Sequence, residues 1–167
     1  MRILGIDPGY AIIGYAIIEG NGNQLRPIYY NHISTSAKLT FFERMKQINT
    51  EIKEIIITHA PEVLSIEKIF FSKNKTTAIN VAQVRGAIIQ EAINSNLEIF
   101  EYTPNEIKIA VTGYGQAPKM QVQQMIKSLF NLKEIPKPDD TADALAIALC
   151  HFHSAKFSSI KRRMQDV

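Results

Sequence analysis

The chain has 167 residues, of which 46% are hydrophobic and 21% are charged, with a formal net charge of +3. This composition is typical of one globular domain with a hydrophobic core, and it excludes a disordered or collagen-like chain. The only cysteine, Cys150, excludes an internal disulfide framework, and no apolar run approaches the roughly 18 residues of a membrane helix. The apolar stretch before Asp7 is too short for a signal peptide, so we expect a cytoplasmic protein with no membrane association. The mild positive charge favours a polyanionic partner only weakly.

The beginning of the chain predicts three short strands. The segments RILGID (2–7), AIIGYAIIE (11–19) and QLRPIYYNHIS (24–34) are apolar or alternating, and residues typical of turns separate them. Strands joined by turns this short pair antiparallel. We therefore expect the fold to begin with an antiparallel meander.

The apolar period then changes, and helices alternate with strands. Further strands are expected at 62–68 and 97–102, and helices at 42–56, 74–94, 104–112, 118–130 and after Asp140. Helical crossovers place successive strands parallel, with right-handed connections. The predicted fold class is α/β, a mixed five-stranded sheet with helices on both faces. This domain is expected to span 1–156, followed by a basic C-terminal tail at 157–167.

Four carboxylates are expected at one end of this sheet. Asp7 ends the first strand, Glu67 ends the fourth, and Asp140 and Asp143 share one face of the last helix at i, i+3 spacing. Clustered carboxylates repel one another unless a cation neutralises them, and Mg²⁺ prefers carboxylate oxygens. Each acid also has a structural interpretation, as a turn starter, a solvated strand end or a helix cap. Their convergence favours a metal site.

These motifs resemble those of the RuvC family of Holliday junction resolvases, which has the ribonuclease H-like fold. The resemblance rests on GIDPGYAIIGYAII, SIEKIFFSKN, AQVRGAI and DDTADALAIALCH, which follow in the same order along nearly the whole chain. It implies that the metal-binding and catalytic acids are Asp7, Glu67, Asp140 and Asp143. The D-x-x-D-A pattern leaves Asp139 as a helix cap or an outer charge.

The reaction and the partners are also implied by this resemblance. The expected enzyme is a Mg²⁺-dependent crossover junction endodeoxyribonuclease, a hydrolase that resolves four-way junction DNA in recombination and repair. It would make paired symmetric nicks that leave 5′-phosphate and 3′-hydroxyl ends, with two Mg²⁺ ions per active site and Mn²⁺ as a substitute. The expected partners are a second copy of the chain and the RuvA–RuvB branch-migration complex.

Three residues are candidates for contacts with DNA. The resemblance implies that Lys108 and Lys119, which flank the loop 113–115, face backbone phosphates, and that Phe70 stacks on a base. The alternatives are solvated lysines at helix ends and a phenylalanine in the core. The sequence also leaves open whether Phe70 or Phe71 would stack.

The helix expected at 74–94 is apolar on nearly all sides, which indicates burial on more than one face. One face fits the sheet. A narrow second stripe of Ala82, Gly86 and Ile89 would allow the same helix of a second copy of the chain to approach closely. The alternative interpretation is that this helix lies at the centre of a larger core within one chain. The family is homodimeric, and two-fold symmetry suits two matched cuts.

Two other classes of protein share parts of this pattern. An actin-like sugar kinase or chaperone ATPase begins with a similar GID-G strand, but it needs two lobes and far more residues than this chain has. A junction-binding module without activity needs no carboxylate cluster. His151 and His153 lie two residues apart and face different directions, so we expect no metal site there. Cys150 is expected in the core.

Overall fold

The structure, a computed structural model, describes residues 1–22, 24–68 and 75–165. The strands are β1 (Arg2–Asp7), β2 (Ile12–Asn21), β3 (Gln24–Ser34), β4 (Val63–Glu67) and β5 (Glu98–Tyr102). The helices are α1 (Phe41–His59), α2 (Lys75–Asn94), α3 (Pro104–Thr112), α4 (Lys119–Leu129) and α5 (Asp139–Gln165). Every predicted element is present, with small shifts at the ends. None of the helices in the described part of the chain is long and apolar enough to cross a membrane.

Helix α5 differs most from its prediction. It begins at Asp139 rather than after Asp140, and its backbone continues through Gln165, so that most of the expected tail extends the last helix. The residues from 157 to 165 include no proline or glycine, and lysine, arginine, methionine and glutamine among them are good helix formers. The segment was predicted to be a tail because it is basic and polar. Its few apolar residues show no clear helical period.

The five strands form one mixed sheet in the order β3-β2-β1-β4-β5. Strand β2 pairs antiparallel with both β1 and β3, whereas β4 pairs parallel with β1 and with β5. This topology confirms the predicted meander followed by parallel strands. It also makes β1 and β4 direct neighbours, so their carboxyl ends lie at the same edge of the sheet.

Each face of the sheet carries its own hydrophobic core, because successive side chains of a strand point to opposite faces. Helices α1 and α2 cover one face, where Ile48, Ile52, Val84 and Ile88 pack with Leu4 and Ile6. Helices α3, α4 and α5 cover the other face, where Val111, Ile126 and Leu145 pack with Ile3 and Ile18. The acidic first turn of α5 therefore belongs to a helix that lies in a core.

Glycines let α5 approach the sheet closely. A Cβ atom at Gly5 would clash with Ala144 and Ala148 of α5, and a Cβ atom at Gly14 would overlap the carbonyl oxygen of Asp140. Gly14 is the β2 residue that pairs with Asp7. This contact holds the first turn of α5 directly against the end of β1.

Two helix starts have the side-chain caps that their sequences predict. In α1 the Thr40 hydroxyl accepts from the Glu43 amide and the Glu43 carboxylate accepts from the Thr40 amide. Thr103 and Glu106 form the same capping box in α3, which ends at Gly113 in the left-handed conformation. These caps fix the start of α3, the helix that carries Lys108.

Candidate active site

The four predicted acids lie at one end of the sheet. Asp7 is the last residue of β1 and Glu67 the last residue of β4, and the parallel register that pairs Ile6 with Ile66 places the two acids side by side. Asp140 and Asp143 lie in the first turns of α5, which Gly14 holds close to Asp7. Two adjacent strands and one helix thus bring together residues that are far apart in the sequence.

Burial and neighbouring negative charge raise the pKa of Asp7, Glu67 and Asp143. Burial raises the pKa of Asp7 to about 8, and the negative charges of Asp143, Glu67 and Asp140 add to that rise. The pKa of Glu67 is also raised, first by burial and then by Asp143. Burial likewise raises the pKa of Asp143, against the opposing effect of Lys119. Folding therefore forces negative charge together at a place where a cation would be strongly favoured.

A divalent cation fits this site by its donor set. Carboxylate oxygens are the ligands of hard cations such as Mg²⁺, and the mutual repulsion of the four acids is what such an ion neutralises. Within the described residues, no group of three or more histidine, cysteine, aspartate or glutamate side chains is already arranged to hold a metal ion. Metal binding therefore requires these carboxylates to turn toward one point, which rotation about their side-chain bonds allows.

Lys119 contacts two acids that lie one turn apart on the same side of α5. Its Nζ atom lies 3.2 Å from Oδ2 of Asp139 and 3.1 Å from Oδ2 of Asp143. The hydrogen bond from Lys119 lowers the pKa of Asp139. Asp139 is exposed and its pKa is lowered, whereas the pKa of Asp143, which Lys119 also contacts, is raised. This agrees with its predicted place as an outer charge.

Both lysines predicted to contact DNA border the acids. A cavity of about 250 Å³ is lined by Lys108, Lys119, Glu67 and Asp143, together with apolar residues of α3, α4 and α5. Lys108 also lowers the pKa of Glu67. Their role toward DNA stays a prediction. Phe70 and Phe71 lie outside the described residues.

The residues that the sequence set aside as structural lie in the core or near it. The Nδ1 atom of buried His151 lies 2.8 Å from the hydroxyl of Tyr102, and burial lowers the pKa of His151 to about 4. His153 points elsewhere, with its Nδ1 atom 3.1 Å from the carbonyl oxygen of Ala110. Cys150 is buried as predicted, and burial raises the pKa of its thiol to about 12.

Two features of the site escaped sequence reasoning. Arg85 of α2 donates from Nε to the main-chain oxygen of Glu67 at 3.0 Å, and its guanidinium also pairs with Glu101 of β5. This arginine lies in the AQVRGAI motif, but the motif gave no indication of which groups it contacts. The ion pairs of Lys119 with Asp139 and Asp143 were not predicted either. They depend on the relative position of α4 and α5, which the sequence of the loop between them does not indicate.

The whole chain can be compared with known proteins on this basis. The family model described as crossover junction endodeoxyribonuclease RuvC matches residues 3–151. The chain belongs to the RuvC family. The crossover junction endodeoxyribonuclease RuvC of Halothermothrix orenii is 52% identical over 158 residues, which cover 95% of this chain and 96% of that protein. The RuvC of Brevibacillus brevis is 51% identical over 160 residues, 96% of each chain.

The structural similarity is equally extensive. The structure of Thermus thermophilus RuvC in complex with Holliday junction substrate superposes with a TM-score of 0.90 at 31% identity, and the match covers 95% of this chain and 96% of that one. These similarities confirm the predicted family, the ribonuclease H-like α/β fold and the predicted enzyme class, a nuclease among the hydrolases. The RuvC family consists of metal-dependent nucleases.

Proposed function

We propose that this protein is a structure-selective endonuclease that resolves Holliday junctions in recombination and repair. The observation that carries the proposal is the group of half-buried, mutually repelling acids at the end of β1, where the pKa of Asp7 rises to about 8. A protein that only held a junction would gain nothing from this unfavourable cluster. The proposal is further supported by the RuvC relatives that match almost the full length of the chain.

In this proposal two Mg²⁺ ions bind to Asp7, Glu67, Asp140 and Asp143, and Mn²⁺ can replace them. The ions supply Lewis acidity and a more acidic bound water. The four acids would hold the ions at the scissile phosphodiester, and Lys108 and Lys119 hold the charged strand beside them. Water oxygen forms the new bond to phosphorus and the bond to the 3′ oxygen breaks, which leaves a 5′-phosphate and a 3′-hydroxyl.

Lys119 has a further part in this arrangement. Its ammonium group lies 3.1 Å from Asp143, so it already offsets part of the negative charge at the site. A phosphate that enters between Lys119 and Lys108 competes with Asp143 for that ammonium group. The carboxylate of Asp143 is then released to turn toward the other acids.

The proposed active form is a homodimer that forms through α2. Val84, Ile88 and Ala92 face the core, whereas Ile79 and Ile93 are 58% and 54% exposed. These two isoleucines continue the predicted stripe, which thus consists of Ile79, Ala82, Gly86, Ile89 and Ile93. Spacings of three and four residues are typical of paired helices. Two such active sites would make paired cuts, in cooperation with RuvA and RuvB in the cytoplasm.

The experiment that tests the function uses a mobile four-way DNA junction with Mg²⁺ and maps both strands. We expect paired nicks in strands of like polarity, with ends that a ligase can seal directly. A linear duplex of the same sequence is the substrate control, and EDTA is the metal control. Equal cutting of the duplex, or an intact junction in the presence of Mg²⁺, would contradict the proposal.

The dimer is tested separately by Gly86→Glu. The new carboxylate would lie in the apolar stripe, where an unpaired charge is strongly unfavourable, so sedimentation velocity should report a monomer. Gln83→Glu is the matched control, since it adds the same charge at an exposed position outside the stripe, about 60° from Gly86 around the helix. A dimer that survives Gly86→Glu would remove α2 from the interface.

A further inference from the structure

An open cleft lies between β3, the segment that joins α4 to α5, and the first turn of α5. It has a volume of about 590 Å³ and is lined by Tyr30 and Asn31 of β3, by residues 131–137 and by Thr141 of α5. We name it the β3–α5 cleft. None of the four acids of the candidate active site lines it.

Thr141 is the unusual residue of the β3–α5 cleft. Only 2% of its surface is exposed, yet its Oγ1 atom has no hydrogen-bond partner among the described residues. Buried hydroxyl groups nearly always have a partner, because losing hydrogen bonds to water without replacement is unfavourable. The wall of the cleft thus contains a hydroxyl group whose hydrogen-bonding capacity is unused among the described residues.

The charges around the cleft favour an anion. Two lysines line it, Lys133 and Lys137, against one acid, Glu134. The first turn of the 27-residue α5 adds the positive end of a helix dipole. The nearest exposed acid of that turn, Asp139, is already paired with Lys119 at 3.2 Å. The amides of Asn31 and Asn131 offer further donors.

The sheet register gives the distance from the cleft to the acids. Tyr30 pairs with Ala16 of β2, and Gly14, two residues before Ala16, pairs with Asp7. The cleft therefore lies beside β3, two strand spacings or about 10 Å from β1. Successive phosphates along one DNA strand are roughly 6–7 Å apart, so that distance corresponds to about one or two nucleotides.

We propose that the β3–α5 cleft binds a backbone phosphate of the DNA substrate about one or two nucleotides from the scissile position. This inference rests on the proposed nuclease function and adds a contact outside the group of acids. Lys133 and Lys137 attract the phosphate, and the Thr141 hydroxyl donates to it. The contact strengthens binding of the strand and takes no part in breaking the phosphodiester bond.

The test is the salt dependence of junction binding, measured without divalent cations so that the DNA stays intact. The double variant Lys133→Gln/Lys137→Gln should bind the junction about 3- to 10-fold more weakly, with a slope of log K against log salt that is smaller by about 1. Lys46→Gln/Lys53→Gln is the matched control, because it removes two exposed charges from α1 on the other face of the sheet. Cleavage at saturating protein should keep the wild-type rate in both variants.

Thr141→Val separates a ligand contact from a structural one. The variant keeps the shape of the side chain and removes the hydroxyl. It should weaken junction binding while the melting temperature stays the same or rises, since the hydroxyl has no partner among the described residues. A lower melting temperature with unchanged binding would overturn the ligand role of Thr141.

The outcomes also distinguish the two proposals. A wild-type protein that neither binds nor cuts the junction contradicts the proposed function itself. A wild-type protein that cuts normally, combined with equal salt slopes for the two double variants, overturns the phosphate site alone. Equal salt slopes would overturn the phosphate site even if inorganic phosphate raised the melting temperature of the wild-type protein. In that case the cleft would bind a free anion but not DNA.

Discussion

Acidic side chains at the two ends of β1 have opposite electrostatic environments. At its start, Arg2 contacts Glu19 of β2 with Nη2 and Oε1 3.1 Å apart, and Arg26 of β3 pairs with the same carboxylate. The hydrogen bonds from Arg26 and Arg2 lower the pKa of Glu19. At its end, burial and three neighbouring acids raise the pKa of Asp7 to about 8.

This difference shows which carboxylates are candidates for function. Glu19 and Asp7 are both acids at the ends of adjacent strands, and sequence position alone does not separate them. Glu19 has its counter-charges within the fold, so its place is explained by stability. Asp7 lacks an ion-pair partner among the described residues, and the three acids that repel its charge outweigh the opposing effect of Lys119. An acid kept at such a cost requires a cation or a substrate from outside the chain.

The strongest test of this contrast replaces one acid at each end of β1. Asp7→Asn should reduce junction cleavage by about 10³-fold or more, since a metal-anchoring group contributes several kcal/mol to the transition state. Junction binding should persist, because the phosphate contacts come from lysines. Glu19→Gln is the control and should cut at the wild-type rate. Wild-type nicking by Asp7→Asn would remove Asp7 from the active site.

The second test compares Asp143 with Asp139 within one helix turn. Asp143→Asn should lose nearly all cleavage, and in EDTA it should melt at a higher temperature, because it relieves repulsion among buried acids. Asp139→Asn should keep its activity and lose at most about 1 kcal/mol, the usual limit for an exposed ion pair. If Asp139→Asn were inactive and Asp143→Asn active, the assignment of the two acids would be reversed.

The third test follows stability against pH in EDTA. Because the pKa of Asp7 rises from 3.8 to about 8 on folding, the folded protein holds more protons than the unfolded chain between those values. The free energy of unfolding should therefore fall as the pH rises from about 4 to 8, by up to about 1.4 kcal/mol per pH unit from this group. Asp7→Asn should flatten the profile. Identical profiles for the two proteins would show that Asp7 does not titrate in this range.

The smallest effect is expected at the other end of the strand. Glu19→Gln should lower the melting temperature slightly at neutral pH, because it weakens the pairing with Arg2 and Arg26. A carboxyl group whose pKa is lowered on folding stabilises the protein above its unfolded pKa and loses that effect in acid. The difference between Glu19→Gln and wild type should thus vanish at low pH. A difference that persists in acid would point to lost packing instead.

The sequence predicted the fold and the positions of the acids well, for a physical reason. The period of the apolar residues identified each strand and helix, and the crossovers fixed the directions of β1 and β4, so Asp7 and Glu67 could be placed at the same edge. The i, i+3 spacing of Asp140 and Asp143 likewise depends only on local geometry. The assignment of these acids to catalysis came from the family resemblance.

What the sequence did not reveal depends on how separate elements pack. The pairing of Lys119 with Asp139 and Asp143 requires the relative position of α4 and α5, for which no periodicity carries a signal. The contact of Arg85 with the main chain of Glu67 requires the packing of α2 on β4. The unpartnered hydroxyl of Thr141 also becomes visible only when the residues around it are known.

The close contact between Gly14 and the first turn of α5 has a consequence for mutational tolerance. Any side chain at position 14 would push against the carbonyl oxygen of Asp140 and displace a helix that carries two of the four acids. In a deep mutational scan scored by junction cleavage, Gly14 should therefore be as intolerant as an acid of the active site. Gly14, which has no functional group, would then appear catalytic. A parallel scan scored by folding and DNA binding would show that it acts by positioning the first turn of α5.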